Sequence, residues 1–281
     1  MLFSPGSRPA MMQKAARAGA DALIFDLEDS VAPAARIDAR KHVRDVLGEA
    51  GPPVFVRVNH PSTGETAADL EALAGDRVHG VILPKADTAE DVRALDRLLD
   101  PVAKRLPRPI AIVPMVESCL ALRNAFEVAN ASERVAASVF ASAEEGDFIV
   151  DLGGRWTPEG QAMLYPRSRH VCESRAAGIE ALVDGVFMNL EDDEALRREC
   201  ALARTLGYTG KMAIHPRQVA IMNEAFTPGA AEIEHARALI AAYREAAAKG
   251  QGALQFRGMM VDYANVRRAE RIVAIAARLA G

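Results

Sequence analysis

Eight short apolar runs, each followed by a longer amphipathic stretch, constrain the fold of this chain more than any other feature of its sequence. The runs are LFSPG from Leu2, ALIFDLE from Ala22, VFVRVN from Val54, GVILPK from Gly80, AIVPMVE from Ala111, ASVFAS from Ala137, DGVFMN from Asp184 and KMAIHP from Lys211. Strand-like runs alternating with stretches rich in Ala, Arg, Leu and Glu predict parallel strands joined by crossover helices. The runs are almost continuously apolar, which suits strands covered by helices on one side and packed side chains on the other. An open doubly wound sheet would read the same way. The polar residues favour closure: Asp26, Glu28, Arg57, Asn59, Lys85, Glu117 and His215 fall at the C-terminal ends of different runs, and a barrel gathers those ends into one ring. The expected fold is therefore α/β, a (β/α)8 barrel over residues 1–227 with a C-terminal helical appendage over residues 228–281. Within that appendage Gly250, Gly252 and Gly258 suit either the hinges of a lid or arm, or ordinary turns.

With 281 residues, half of them hydrophobic, the chain can bury a large core, and it has no apolar run of eighteen residues that would span a membrane. The opening MLFSPGSRP lacks the cationic and apolar regions of a secretory signal, so a cytoplasmic address is expected. A net charge of −4, with Lys and Arg dispersed among helical stretches, argues against a nucleic-acid partner and for a small molecule. Cys119, Cys172 and Cys200 form no Cys-x-x-Cys pair and read as reduced structural thiols.

Chemistry is concentrated at the strand ends. Asp26, Glu28 and Asp29 crowd the end of the second run, where three carboxylates need cations or hydrogen-bond donors. Arg57 shares a strand face with Phe55, and its planar guanidinium suits a carboxylate or phosphate; the competing reading is a structural pair with Asp26 or Glu28. Lys85 supplies a second cation. A Schiff-base role would require a depressed pKa, which the neighbouring acids oppose. Glu117 and an acid from VFASAEEGDF on the next strand suit a hard dication, Mg2+ or Mn2+, because no His or Cys cluster has zinc spacing. Alternatively, Glu117 serves only as a partner for Arg57 or Lys85. His215, a lone histidine before proline, reads as structural ahead of catalytic.

The ordered segments SPGSRP, IFDLEDSV, VRVN, VILPK, PMVES, DLGG with TPEG, YPRSR, GKMAIHPRQV and GMMVD span nearly the whole chain. Together they resemble the citrate lyase β-subunit-like proteins of the HpcH/HpaI aldolase superfamily. The resemblance implies a Mg2+-dependent TIM barrel, commonly a homotrimer, that cleaves or forms citryl-, malyl-, methylmalyl- or citramalyl-CoA. By motif match, Arg57 would bind substrate carboxylate or carbonyl oxygens and Glu117 would ligate the metal; from their place at the strand ends, Asp26, Glu28 and Glu117 are candidate substrate-binding residues, and Arg57 and Lys85, with Asp262, candidate catalytic ones. Asp262 of GMMVD would reach a neighbouring subunit's site as an acid–base group. SAEEGDFIVDLGG carries two residues more than the family pattern, so the second metal ligand is Asp147 when aligned from DLGG and Glu145 when aligned from the strand; Asp147 has the family's residue type. The implied reaction yields an acyl-CoA and an oxo acid. Other readings are a thioesterase or synthase outcome, a class II aldolase acting on free hydroxy-oxo acids, and a non-catalytic CoA-binding subunit.

Overall fold

The computed structural model describes residues 1–48, 51–73 and 77–280, and its chain divides into two compact units, Met1–Asn223 and Glu224–Gly281. In the first unit eight parallel strands follow one another around a single sheet: β1 (Leu2–Pro5), β2 (Leu23–Asp26), β3 (Val54–Arg57), β4 (Val78–Leu83), β5 (Ala111–Val116), β6 (Ala137–Phe140), β7 (Ala181–Asp184) and β8 (Gly210–Lys211). The sheet closes on itself where the Phe3 N–H donates to the Ala213 carbonyl at 2.8 Å and the Ala213 N–H donates to that of Met1 at 2.8 Å. The expected barrel is thus formed.

Period-two alternation explains how one strand builds both core and site. Ile24, Ile82, Val113, Met115, Val139, Val183 and Met212 meet inside the barrel, with Phe3 and Phe55 against them. Two residues further along three of these strands, on the same inward face, stand Asp26 after Ile24, Arg57 after Phe55 and Glu117 after Met115. The apolar layer forms a floor, and the charged side chains lie above it. Outside, helices bury one face each. Ala89–Ala103 buries Val92, Leu95, Leu99 and Val102, and it starts at a capping box in which Thr88 and Asp91 satisfy each other's backbone N–H groups.

One strand is displaced from its expected place. The run DGVFMN predicts a strand beginning at Asp184, whereas β7 ends there. Gly185 turns the chain out of the sheet, because its backbone packs against Ser142 where a Cβ would come within 2.4 Å of the Ser142 nitrogen. The Phe187 carbonyl then accepts from the Gln218 side chain at 2.8 Å. The apolar residues after Asp184 therefore form a buried-edge loop. No disulfide links the cysteines; Cys200 is buried, but Cys119 and Cys172 are exposed, so the structural reading holds for Cys200 alone.

The second unit contains the long helix Ala230–Ala248, a hairpin of β9 (Leu254–Phe256) and β10 (Met259–Val261), and the helix Tyr263–Ala280. Ala236, Leu239, Ile240, Val261, Val266 and Ala269 form its core. Arg257 and Gly258 occupy the two-residue hairpin turn with φ of 48° and 85°, the pair of left-handed conformations a tight hairpin demands. Gly250, at φ 78°, closes the long helix, its N–H donating to the Ala247 carbonyl. These two glycines are turn and cap formers. No helix among the described residues is long and apolar enough to cross a membrane.

Candidate active site

The charged ring above the barrel floor begins with Asp26, which is 1% exposed. Its oxygens accept from Arg57 Nε at 2.7 Å and Nη2 at 2.8 Å, and from the backbone N–H groups of Glu28 and Ser30. Burial alone would raise its pKa, but the Arg57 fork and the backbone donors outweigh it and hold the carboxyl below its usual value. Arg57 is fixed in turn. Its remaining nitrogen lies 3.3 Å from Glu28 Oε2, and its guanidinium stands over the Phe3 ring at 5.1 Å. The structural pairing weighed for Arg57 exists, and the arginine still lines a cavity.

Lys85 follows β4 with φ 50°, a left-handed conformation that costs a non-glycine residue on the order of 1–3 kcal/mol. That backbone aims the Lys85 N–H at Glu117 Oε2, 2.6 Å away. Its ammonium pairs with Glu28 at 2.5 Å and Asp29 at 3.2 Å, and stands 3.8 Å from Asp147. Burial works against the ammonium, yet Glu28, Asp29 and Glu117 raise its pKa above the ordinary lysine value, so it stays protonated and a Schiff-base role is disfavoured.

Glu117 is 6% exposed. Burial pushes its pKa up to about 7, against the opposing pull of Arg57 and the Lys85 N–H. The helix Asp147–Leu152 begins across the cavity and is tied to the Glu117 segment, because Asp151 Oδ2 accepts from the Cys119 N–H at 2.7 Å. Asp26, Arg57, Glu117 and Asp147 all line one cavity of about 390 Å3, floored by Phe3, Met115 and Met212. Glu28 and Lys85 line an adjoining cavity of about 480 Å3, and Asp29 lines both. Glu145, at φ 57°, lines neither.

Five carboxylates (Asp26, Glu28, Asp29, Glu117 and Asp147) thus surround two cations (Arg57 and Lys85), and the excess negative charge fits a cation. Among the described residues no three His, Cys, Asp or Glu side chains converge as a ready cage. That suits Mg2+, which commonly takes one or two carboxylates and fills its other positions with water and substrate oxygens.

Two further sequence candidates accept from the first turn of a helix. His215 Nδ1 accepts from the Arg217 N–H at 3.2 Å, capping the helix Pro216–Phe226, as its structural reading anticipates. Asp262 belongs to the second unit, where its carboxylate accepts from the Ala264 N–H at 2.9 Å and caps the helix Tyr263–Ala280.

The sequence reading missed a second charged cluster. Arg167, Asp184, Glu199 and Lys211 meet behind β7 and β8, each 7% exposed or less. Asp184 accepts from Arg167 at 2.9 Å and from Lys211 at 2.6 Å, while Arg167 reaches Glu199 at 2.5 Å. Nearby, His170 is fully buried between Phe140 and Tyr208, hydrogen-bonded to Ser138 and the Tyr208 hydroxyl. The only sequence signal was a charge at the edge of each apolar run, Asp184 and Lys211.

Comparison with known proteins places this geometry. The model of the HpcH/HpaI aldolase/citrate lyase family matches residues 1–216. The citrate lyase subunit beta of Leuconostoc mesenteroides is 38% identical over 98% of this chain and 92% of its own length. An L-malyl-CoA/beta-methylmalyl-CoA lyase of Cereibacter sphaeroides is 36% identical over 97% of this chain and 92% of its own. The crystal structure of CitE from Mycobacterium tuberculosis, in complex with magnesium, acetoacetate and coenzyme A, superposes with a TM-score of 0.78 at 32% identity, covering 98% of this chain and 97% of that one. The fold and the comparisons define a carbon–carbon lyase. The chain belongs to the HpcH/HpaI aldolase/citrate lyase family.

Proposed function

We propose that this chain is a Mg2+-dependent lyase that cleaves, or in reverse forms, a 3-hydroxyacyl-CoA thioester such as citryl-, malyl-, methylmalyl- or citramalyl-CoA. The observation that carries this reading is the meeting of Glu117, Asp147 and the pre-oriented Arg57 around one cavity at the barrel's C-terminal mouth. Glu117 and Asp147 would hold the cation, with Glu145 displaced from the role by its place outside the cavity lining. A bound Mg2+ would supply Lewis acidity toward the hydroxyl oxygen that becomes the oxo-acid carbonyl. Glu117 suits such a ligand, since a buried carboxyl with a pKa of about 7 gives up its proton readily when a cation compensates its charge.

The chain's own groups account for the rest. Arg57, locked by Asp26, presents positive charge to the substrate carboxylate without reorganising as charge develops. Lys85, kept protonated, adds to the field that favours the thioester enolate. In the cleavage direction a base takes the β-hydroxyl proton, the Cα–Cβ bond breaks, and its electron pair passes into the thioester enolate. Protonation of that enolate yields the acyl-CoA. Asp262 is the proposed acid–base residue, acting from another copy of the chain in a homo-oligomer, for which a trimer is the leading form. Its exposed position in the second compact unit is compatible with that role.

The test is a screen of the purified chain with Mg2+ against the four thioesters, following oxo-acid release and the fate of the thioester bond. Oxo acid with intact acyl-CoA is the expected outcome. Free CoA would indicate a thioesterase, while cleavage of free hydroxy-oxo acids alone would indicate an aldolase. Complementation between Glu117→Gln and Asp262→Asn chains, each inactive alone, would support a site shared between copies.

A further inference from the structure

The turn carrying Asp147 is bolted to the barrel from below. Ser142, fully buried just beyond β6, donates through its hydroxyl to Asp184 Oδ1 at 2.8 Å. Ser142 Oγ itself accepts from Arg167 Nη2 at 3.0 Å and from the Gly185 N–H at 3.2 Å. One small side chain thereby joins the β6 turn, the end of β7 and the sealed cluster behind the sheet. Gly185 must be glycine for this approach, since an added Cβ would lie 2.7 Å from Ser142 Oγ.

From that anchor the chain needs only five residues to reach Asp147. Ala143 lines the cavity, the Gly146 N–H returns to the Ala143 carbonyl at 3.2 Å, and Glu145 adopts a left-handed φ of 57°. Beyond Asp147, the buried Phe148 packs its ring 4.7 Å from that of Phe140. The turn is therefore held at both ends by buried contacts. Without the Ser142 clamp, the β6 end would keep the Ala141 N–H bond to the Val116 carbonyl and the Phe140–Phe148 contact but lose its side-chain tie to β7, and a shift of the turn would carry the Asp147 carboxylate away from Glu117.

We propose that Ser142, backed by Asp184 and Arg167, is a positioning residue that holds the β6 turn so that Asp147 and Glu117 can share one divalent cation. The inference rests on the reading of those two acids as the metal ligands. It assigns the sealed cluster a second task beyond its own stability: to fix the reach of a ligand it never touches.

The experiment measures Mn2+ binding directly, by the loss of the free-ion paramagnetic resonance signal, in wild type, Ser142→Ala and Ser138→Ala. Ser138 is a buried serine within β6 whose hydroxyl bonds His170, away from the turn, so it controls for the loss of a buried hydroxyl. Ser142→Ala is expected to weaken Mn2+ binding by up to roughly 10-fold, the low end of the range for partners that touch a metal ligand, because Ser142 acts on Asp147 only through the turn, while Ser138→Ala binds as wild type does. Ser142→Thr, which keeps the hydroxyl, should recover most of the affinity. Unchanged binding in Ser142→Ala, or equal weakening in both alanine variants, would overturn the proposal. If Ser142→Ala does not fold, Ser142→Cys takes its place: its weaker donor must give an intermediate loss, and wild-type affinity would overturn the clamp. A wild-type chain that fails to bind Mn2+ would instead remove the metal reading itself.

Discussion

The two charged clusters of this barrel bury their groups in opposite ways. Behind β7 and β8, Arg167 and Lys211 face Asp184 and Glu199, two cations against two anions, and solvent is almost excluded. At the mouth of β2 to β6, five carboxylates outnumber two cations and border open cavities. The pKa values record the difference: Asp184, though burial opposes it, is held down to about 2 by Lys211 and Arg167, while burial drives Glu117 up to about 7. A balanced cluster stabilises the chain as it stands, whereas an unbalanced one is completed by what it binds. The same structural position, the end of a barrel strand, therefore serves stability in one place and chemistry in the other.

The sharpest way to break this contrast is Glu117→Gln. It keeps the shape and removes the charge, so Mn2+ affinity and lyase turnover should both fall by more than the roughly 10- to 100-fold seen when a partner one shell out is lost. Thermal stability should hold or rise, because a buried carboxyl with a raised pKa has been replaced by a neutral amide. Loss of folding without loss of metal affinity would reverse the assignment of the two clusters. Next in size is Lys211→Met. It leaves Asp184 and Glu199 with a single cation in a sealed space, and should cost about 3–5 kcal/mol in denaturant unfolding. Metal affinity in the fraction that remains folded should change far less.

The pH dependence of stability offers a third probe. Burial lowers the His170 pKa from 6.5 to about 4, so the folded chain binds fewer protons than the unfolded chain between those values. Its contribution is fully present above pH 6.5 and is lost as the pH falls toward about 4. This amounts to about 3 kcal/mol for a shift of this size. His170→Gln should flatten that segment of the stability profile, read from urea midpoints at pH 7, 5.5 and 4.5. An unchanged slope would assign the acid sensitivity elsewhere.

The open cluster was legible in the sequence because its members end apolar runs at the spacing a strand imposes. Asp26 stands two residues after Ile24 and Glu117 two after Met115, so a reader who sees the strands also sees which side chains crown them. The sealed cluster gave no such sign. Arg167 and Glu199 lie on helices, Asp184 and Lys211 on strands, and nothing in their separation brings them together before the barrel closes. That blindness also displaced the seventh strand: GVFM after Asp184 is as apolar as a strand, and periodicity cannot reveal that Gly185 must leave the sheet to meet Ser142. Likewise the turn between β9 and β10 was visible as Gly258, but not as a hairpin. The strands on either side, LQF and MMV, have three residues each, too few to show a period.

The smallest expected effect completes the comparison by making one substitution in both clusters. Lys85→Met removes an ammonium that pairs with Glu28 and Asp29, as Lys211→Met removes one that pairs with Asp184, yet the Lys85 side chain is 43% exposed and that of Lys211 is fully buried. Water can take over the solvation of Glu28 and Asp29, so Lys85→Met should cost about 1 kcal/mol or less in unfolding free energy. Its turnover should nonetheless drop, because the ammonium proposed to favour the enolate has gone from the mouth of the barrel. A stability loss matching that of Lys211→Met would mean that the open cluster, too, is held together mainly for the fold, and the distinction between the two clusters would fail.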